Sequence, residues 1–195
     1  MKKDIILAGV GGQGILSVAA IIGTAALDGG LSLKQSEVHG MSQRGGNVQS
    51  HLRISDRDIA SDLIPEGMAD MVISLEPMEA LRYLPMLSEK GWVITNLQPF
   101  INNPDYPAKD VLYAEIDRIT HHVALNADEI AKNIGAAKAA NVVMLGAASR
   151  FLELSFESLE KAIQSIFGRK GEIVVNDNLK ALRAGKEFAE KELHW

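Results

Sequence analysis

A strand that turns into a helix through a cluster of glycines is the feature that most constrains this chain. The apolar run Ile5-Ile6-Leu7-Ala8 is followed by Gly9-Val10-Gly11-Gly12-Gln13-Gly14, and a helical pattern begins at Ile15. The spacing is G-x-G-x-x-G, in which the glycines permit a tight turn, close approach to the backbone and close helix–strand packing. The N–H groups at such a helix start attract phosphates. The candidate binding residues are Gly9, Gly11, Gly12, Gln13 and Gly14.

This spacing leaves two interpretations open. A dinucleotide-binding turn requires an acidic residue about twenty residues further on, which holds a ribose hydroxyl. Glu37, twenty-three residues past Gly14, is the candidate. In the other interpretation the glycines only permit the turn, and no ligand binds there.

Composition excludes several classes of function. With 195 residues, 47% of them hydrophobic and 23% charged, the chain predicts one globular domain spanning residues 1–195. A net charge of -5 and the absence of a basic stripe argue against a nucleic-acid partner. The sequence contains no apolar run of about 18 residues that could span a bilayer, and its N-terminus does not resemble a signal peptide. We therefore expect a cytoplasmic protein without a membrane partner.

The chain contains no cysteine. Disulfides, iron–sulfur clusters and zinc sites of the cysteine type all need that side chain, as does a cysteine nucleophile. Any redox metal must therefore belong to another chain, and we predict no metal site in this one.

Periodicity predicts strands that alternate with helices in the first half of the chain. The expected strands are 4–9, 32–38, 48–54, 59–63, 71–75 and 92–96, with a hairpin turn at 56–58 and helices over 14–28 and 76–87.

The last third is predicted to be mainly helical, after an irregular stretch over 99–107. We expect strands at 122–125 and 172–175 and helices beginning near 126 and over 138–153, 156–167 and 178–193, capped in the last two cases by Ser155 and by Asn176 or Asp177. The fold class is α/β, a doubly wound, largely parallel, Rossmann-like sheet with an inserted hairpin and a helical C-terminal third.

A second polar cluster follows the second predicted strand. It gathers an acid, an imidazole, a guanidinium, an amide and three glycines: Ser36, Glu37, His39, Gly40, Ser42, Gln43, Arg44, Gly45 and Gly46. Ligands of open α/β sheets collect at the carboxyl ends of the strands, so this cluster should face the glycine turn. Arg44 suits a carboxylate or phosphate and His39 suits proton transfer. The alternatives are a Glu37–Arg44 ion pair with glycine turns, or a subunit interface.

Together, Gly9–Gly14 and Ser36–Gly46 strongly resemble the gamma-type domain of the 2-oxoacid:ferredoxin oxidoreductases. Within that family the stand-alone beta subunits of the indolepyruvate enzymes are the nearest in pattern. The resemblance covers nearly the whole chain and extends through Leu63-Ile64-Pro65-Glu66-Gly67, Ala69-Asp70, Leu75-Glu76-Pro77, Glu79-Ala80-Leu81-Arg82, Ala139-Ala140-Asn141 and residues 178–185.

The resemblance implies a complex that oxidatively decarboxylates a 2-oxoacid, here indolepyruvate or another arylpyruvate, to an acyl-coenzyme A and reduces ferredoxin. Thiamine diphosphate, magnesium and iron–sulfur clusters would reside on a larger catalytic subunit. The sequence agrees, because it lacks cysteine and has no Gly-Asp-Gly motif for thiamine diphosphate. This chain would then supply no catalytic residue of its own.

Two roles for this chain follow from the resemblance. The segment from Ser36 to Gly46 would pack against the catalytic subunit and help close its site, and Gly9–Gly14 would hold a phosphate of coenzyme A or of a nucleotide. Competing functions are a free-standing NAD(P)-dependent dehydrogenase using Gly9, Gly11, Gly14 and Glu37, and an assembly module whose glycine turn binds nothing. The same domain also occurs as the gamma subunit of pyruvate, 2-oxoglutarate and branched-chain 2-oxoacid enzymes.

Overall fold

The computed structural model describes residues 1–39, 45–102 and 104–193. Within these ranges the chain forms six strands and seven α-helices, and the last four helices all follow the last strand. The strands are β1 (Lys2–Val10), β2 (Ser32–His39), β3 (Asn47–Ser55), β4 (Ala69–Ser74), β5 (Leu87–Asn96) and β6 (His122–Leu125). The helices are α1 (Ile15–Asp28), α2 (Pro77–Arg82), α3 (Lys109–Ile116), α4 (Ala127–Asn133), α5 (Ala140–Ala148), α6 (Phe156–Phe167) and α7 (Glu172–Glu192).

The strands form one sheet in the order β2-β3-β1-β4-β5-β6. β1, β4, β5 and β6 pair in parallel, whereas β3 is antiparallel to both β1 and β2. Five strands therefore run in one direction and β3 runs back between two of them. The predicted α/β fold with a mostly parallel sheet is confirmed.

The two faces of the sheet are covered differently. Ile5 and Leu7 of β1 belong to a large core cluster that also contains the buried side chains of α1, α5, α6 and α7. Ile6, on the opposite face, belongs to a small cluster with Ile64 and residues of β4, α2 and β5. We call the first side the helix face and the second the anchor face. On the anchor face, polar side chains form hydrogen bonds that hold segments without helix or strand.

On the helix face, α5 and α7 cross with their backbones in contact. A Cβ atom on Gly146 would lie 2.0 Å from the carbonyl oxygen of Leu182, and one on Gly185 would lie 1.9 Å from that of Val143. Real Cβ atoms never approach this closely, so both positions require glycine for the observed helix separation. Helix α5 is buried on all sides from Val142 to Ala148.

On the anchor face, the fully buried Asp4 receives two bonds from one guanidinium. Arg53 Nε and Nη2 lie 2.7 and 3.0 Å from the two carboxylate oxygens of Asp4. Its Nη1 donates to the carbonyl oxygens of Ser61 and Leu63 at 3.0 and 2.9 Å. Ile64 N–H donates to Nδ1 of His51 at 3.0 Å. The segment after β3 is thus held by side chains of β3 rather than by strand pairing.

This arrangement corrects the predicted hairpin. No strand forms over 59–63, because Arg53 and His51 satisfy the backbone of this segment, and the hairpin partner of β3 is β2. The predicted strand over 172–175 is also wrong, because α7 begins at Glu172 after Gly171, so Asn176 and Asp177 lie inside the helix rather than at its cap.

Other predicted elements are confirmed or need shifted bounds. Strand 122–125 and helix 156–167 have the predicted limits, and the Ser155 side chain accepts the Ser158 N–H at 3.1 Å. The helix predicted over 76–87 ends at Arg82, followed by a 3₁₀ turn, and β5 begins at Leu87 rather than 92. Helix α3 was not predicted.

Candidate functional site

The glycine turn and the end of the second polar cluster meet at the carboxyl edge of the sheet. Gly11 N–H donates to the carbonyl oxygen of Gly46 at 2.9 Å, and Val10 is in register with Asn47. Because β3 runs antiparallel to β1, its first residues lie beside the last residues of β1. The predicted proximity of the two clusters is therefore observed for Gly45 and Gly46.

The Gln13 side chain occupies the inside of the glycine turn. Its Oε1 accepts the Val10 N–H at 2.7 Å, and its Nε2 donates to the Leu75 carbonyl oxygen at 3.1 Å. A Cβ on Gly9 would lie 2.8 Å from Gln13 Oε1, so this glycine makes room for the glutamine amide. The amide bridges the ends of β1 and β4, where dinucleotides enter sheets of this class.

The strand order also separates Glu37 from the glycine turn. Glu37 is in register with Ser50 of β3, which is in register with Leu7 of β1. Glu37 thus stands two strands from β1, roughly 10 Å away at ordinary strand spacing. In a dinucleotide-binding unit the second strand lies directly beside the first, so the ribose-binding acid is close to the turn. The Gln13 amide inside the turn and the distance of Glu37 from the turn both argue against the dehydrogenase interpretation.

A cavity of about 660 Å³ opens on the other side of the turn. This volume lies in the range of small-molecule sites. The first turns of α1 and α5, the 135–139 connection and the start of α7 surround it. Its polar lining residues are Gln13, Ser17, Lys138, Asn141, Lys170, Asp177 and Asn178.

The turn presents two backbone donors beside this cavity. Within the described residues, the N–H groups of Gly12 and Gly14 have no hydrogen-bond acceptor, whereas those of Gly11 and Gln13 do. Gly14 has φ +89° and is the N-cap of α1, and its carbonyl oxygen accepts the Asn141 Nδ2–H at 3.1 Å. A Cβ on Gly12 would meet nothing within 4 Å. Donors, helix N-terminus and open space together suit an anion.

The charges around the cavity are mixed. Lys138 and Lys170 line it, and neither ammonium forms an ion pair with any residue that the structure describes. Lys170 Nζ lies 5.3 Å from the centre of the Phe167 ring. Asp177 adds one carboxylate to the same lining. Walls of both signs suit a ligand that carries phosphate together with hydroxyl or amino groups.

Residues 97–102 and 104–108, which we call the strap, cross the carboxyl edge beside the glycine turn. The completely buried Glu76 holds the strap: one carboxylate oxygen accepts the Phe100 N–H at 3.3 Å and the Tyr106 O–H. Burial and the neighbouring Glu76 carboxylate raise the pKa of Tyr106, so its hydroxyl remains a donor. Burial likewise raises the pKa of Glu79, partly offset by the Arg82 guanidinium.

The second polar cluster is only partly described by the structure. Ser36 and Glu37 lie in β2, paired with His51 and Ser50, and His39 is the last residue of β2. Gly45, with φ +82°, lies against the Phe100 ring. The remaining predicted site residues, Gly40, Ser42, Gln43 and Arg44, lie outside the described residues, as does the His39 side chain, so the Glu37–Arg44 pairing stays a prediction.

Sequence reasoning missed the far wall of the cavity. Lys138 lies in an alanine-rich stretch and Lys170 follows Arg169 between two glycines, and neither position carries a recognisable motif. Asn141 could have been found, since Ala139-Ala140-Asn141 is one of the segments on which the family resemblance rests. In the structure, the Asn141 amide donates a hydrogen bond to Gly14 and thereby links the start of α5 to the glycine turn.

Two further properties bear on the type of site. Among the described residues, no group of three or more His, Cys, Asp or Glu side chains is placed to hold a metal ion. None of the helices that the structure describes is long and apolar enough to cross a bilayer.

The fold and the edge cavity define a Rossmann-like α/β protein with one reversed strand and a glycine turn whose inside is filled by the Gln13 side chain. Residues 4–188 match the pyruvate ferredoxin/flavodoxin oxidoreductase family, and the chain belongs to that family. The resemblance inferred from sequence is thereby confirmed.

The relatives in that family include small subunits of similar length. The chain is 41% identical to the indolepyruvate oxidoreductase subunit IorB of Archaeoglobus fulgidus, covering 95% of this chain and 94% of the relative. The IorB subunit of Methanothermobacter thermautotrophicus is 38% identical, with 95% and 96% covered.

Solved structures show the same fold. The gamma subunit of a keto/oxoacid ferredoxin oxidoreductase from Geobacter sulfurreducens matches with a TM-score of 0.70 at 28% identity, covering 97% of this chain and 99% of that one. The 2-oxoglutarate:ferredoxin oxidoreductase of Magnetococcus marinus, solved with 2-oxoglutarate, coenzyme A and succinyl-CoA, matches with a TM-score of 0.78 at 22% identity. This chain covers 31% of that longer chain, and 97% of its own length is matched.

Proposed function

We propose that this chain is the small subunit of a ferredoxin-dependent oxidoreductase that converts indolepyruvate or another arylpyruvate to its acyl-coenzyme A, and that residues 1–195 form one domain of that subunit. The observation that carries the proposal is identity of 36–41% to IorB subunits over nearly the full length of both chains. The 2-oxoglutarate synthase subunits are less similar, at 29–32%.

The chain's own chemistry supports a division of labour in the proposed complex. In the overall reaction the bond between the carboxylate and the keto carbon breaks and releases carbon dioxide, and the keto carbon bonds to the sulfur of coenzyme A. The thiol S–H bond breaks and its proton is released, and the two electrons left on the substrate reduce ferredoxin. Thiamine diphosphate would supply carbanion stabilisation, and iron–sulfur clusters would carry the electrons. Without a cysteine this chain has no cluster ligands, so a larger partner subunit would hold them.

The cavity is the part of this chain that fits a portion of coenzyme A. The free donors of Gly12 and Gly14, the start of α1 and the two lysines suit its phosphates. Asp177 can accept hydrogen bonds from hydroxyl or amino groups of the same ligand. In this role the chain would bind and orient the cosubstrate, while bond breaking takes place at the partner.

The second cluster is proposed to contact the catalytic subunit. Gly45 and Gly46, which end the connection between β2 and β3, lie beside the glycine turn at the carboxyl edge that carries the cavity. Arg44 would contact a carboxylate or phosphate there. Normal assembly together with full coenzyme A-dependent turnover of Arg44→Ala would remove this part of the proposal.

The deciding experiment is anaerobic purification of the tagged chain from its native cell, followed by assay with arylpyruvate, coenzyme A and ferredoxin. We expect a large, cysteine-rich subunit to co-purify and ferredoxin to be reduced only when coenzyme A is present. Comparison with pyruvate, 2-oxoglutarate and branched-chain oxoacids assigns the substrate. Recovery of the chain alone, with tight NAD(P) binding, would overturn the proposal.

The cavity is tested by charge removal on the purified complex. Lys138→Ala and Lys170→Ala should each raise the KM for coenzyme A by roughly tenfold, since each removes about 1.4 kcal/mol of charge-assisted binding, with little change in the KM for the oxoacid. Lys132→Ala is the matched control, because Lys132 is an exposed lysine of α4 that does not line the cavity. Equal effects of all three substitutions would exclude the cavity as the site.

A further inference from the structure

The Glu76 carboxylate joins the start of α2 to the strap. Its Oε2 accepts the Glu79 N–H at 2.9 Å and thereby caps α2. Its Oε1 accepts from Phe100 and Tyr106, which are six residues apart in the strap. A single buried carboxylate therefore fixes the start of a helix and the middle and end of a segment that has neither helix nor strand.

The strap in turn contacts the end of the second polar cluster. Asn102 Nδ2–H donates to the carbonyl oxygen of Gly45, and the Phe100 ring lies against Gly45. The next residue, Gly46, accepts the Gly11 N–H. Hydrogen bonds thus lead from Glu76 through the strap to Gly45 and on to the glycine turn.

The start of the strap has different anchors. Tyr113 O–H donates to the Leu97 carbonyl oxygen at 2.7 Å, and Asn96 Oδ1 accepts the Gln98 N–H at 3.3 Å. These contacts hold residues that precede Phe100. Phe100 and Ile101 themselves are 42% and 69% exposed, so apolar packing within the chain contributes little to their position. Beyond Gln98, Pro99 is buried and Glu76 accepts the hydrogen bonds of Phe100 and Tyr106, so Glu76 is a main polar anchor of this part of the strap.

We propose that Glu76 is a positioning residue: through Phe100, Tyr106 and Asn102 it holds Gly45 and Gly46, the described end of the β2–β3 connection, in the arrangement that the complex uses. The structural part of this inference concerns this chain alone. Its catalytic consequence rests on the proposed function, in which that connection contacts the catalytic subunit.

The test is hydrogen exchange on the full chain carrying Glu76→Gln. The glutamine amide cannot supply the same charged acceptor, so exchange over 97–107 should rise about tenfold, as expected for loss of a charge-assisted hydrogen bond. Exchange over 45–49 should rise with it. Glu79→Gln is the matched control, because Glu79 is also buried but bonds to Arg82 on its own helix at 3.0 Å.

The outcomes separate positioning from simple helix capping. If Glu76→Gln changes exchange only in α2, or if Glu79→Gln reproduces its effect over 97–107 and 45–49, the inference is wrong. Should Glu76→Gln fail to fold, Tyr106→Phe decides the question, since it removes the hydroxyl that bonds to Glu76 and to the Met78 backbone and leaves the Glu76 cap of α2 intact. Unchanged exchange over 97–107 in that variant would also overturn the inference.

A second measurement addresses the complex. With Glu76→Gln assembled, the KM for coenzyme A should rise severalfold more than kcat falls, and Glu79→Gln should leave both near the original values. Altered exchange over 45–49 with unchanged kinetics would retain the structural coupling and count against the proposed role of the connection. Unchanged exchange would refute the inference irrespective of the proposed function.

Discussion

The two faces of the sheet are held by different forces. On the helix face, α1, α5, α6 and α7 bury a continuous apolar core, and glycines bring α5 and α7 into backbone contact. On the anchor face, the core cluster is small, and the segments after β3 and β5 are fastened by Arg53, His51 and Glu76. The candidate site lies at the edge where both meet.

The difference indicates which face can change shape without unfolding. Apolar packing is spread over many side chains. Removing one of them therefore weakens the helix face only in part, unless a substitution forces an extra atom into the core. A segment held by one or two polar anchors is released when a single anchor is removed. Local motion near the site should therefore originate on the anchor face, and the following predictions test this contrast.

Removal of Arg53 should have the largest effect. Arg53→Ala leaves the buried Asp4 with only the half-exposed Lys2, whose Nζ is 2.8 Å away, and frees two carbonyl oxygens. Loss of one partner of a buried pair costs about 3–5 kcal/mol. Urea unfolding measures this cost. Arg118→Ala is the control, because its exposed pair with Glu115 should contribute under about 1 kcal/mol.

Gly146→Ala should destabilise the helix face by about 3 kcal/mol, since the new methyl group would overlap the Leu182 carbonyl and force α5 from α7. Thermal unfolding provides the measurement. Gly168→Ala is the matched control, because a Cβ at Gly168 meets nothing within 4 Å. If both variants melt alike, the helices are not in backbone contact.

The substitution Gly12→Ala distinguishes the cost of backbone strain in the folded chain from a loss of ligand binding at the carboxyl edge of the sheet. Gly12 has φ +100° and open surroundings, so alanine should cost about 1–2 kcal/mol of backbone strain without steric overlap. Gly30, with φ +76° and equally open surroundings, lies at the other end of α1. The stability loss should be equal in Gly30→Ala, whereas only Gly12→Ala should weaken coenzyme A binding in the assembled complex.

Lowering the pH should destabilise the anchor face by protonating His51. Burial lowers the pKa of His51 and Arg53 lowers it further, against the raising effect of Asp62. Because the folded pKa lies below the unfolded value near 6.5, stability falls as the pH drops below that value. The loss should reach about 1 kcal/mol, since a protonated Nδ1 cannot accept the Ile64 N–H.

Chemical denaturation between pH 7.5 and 5 measures this loss. His51→Asn keeps an acceptor close to the position of Nδ1 but does not titrate, so its stability should depend less on pH. An identical pH dependence in both proteins would assign the effect to another group.

Local patterns were sufficient where an element's own residues determine it. The glycine turn, β6 and α6 follow from period and caps that lie within a few residues. The partner of the glycine turn, Gly46, could also be anticipated, since strand ends meet at one edge.

Local sequence patterns failed where residues far away in the sequence determine the conformation of a segment. Ile173, Val174 and Val175 form an apolar run typical of a strand, yet Ile173 is 78% exposed in the first turn of α7, which is stabilised by its packing on α5. The segment 59–63 needs Arg53 and His51 to fix it, and α3 buries only Leu112 and Ile116, too few to show a helical period. The cavity combines three regions far apart in sequence.

The reversed β3 constrains the order in which the sheet can assemble. Among the described strands β2 pairs with β3 alone, and the pairing of these two consecutive strands is local in sequence. Pairing of β1 with β3 and β4 joins residues that are far apart in the chain and should be slower. The hairpin should therefore form first and dock onto β1 as a unit, which completes the glycine turn, with its bond from Gly11 to Gly46, among the last parts of the molecule to fold.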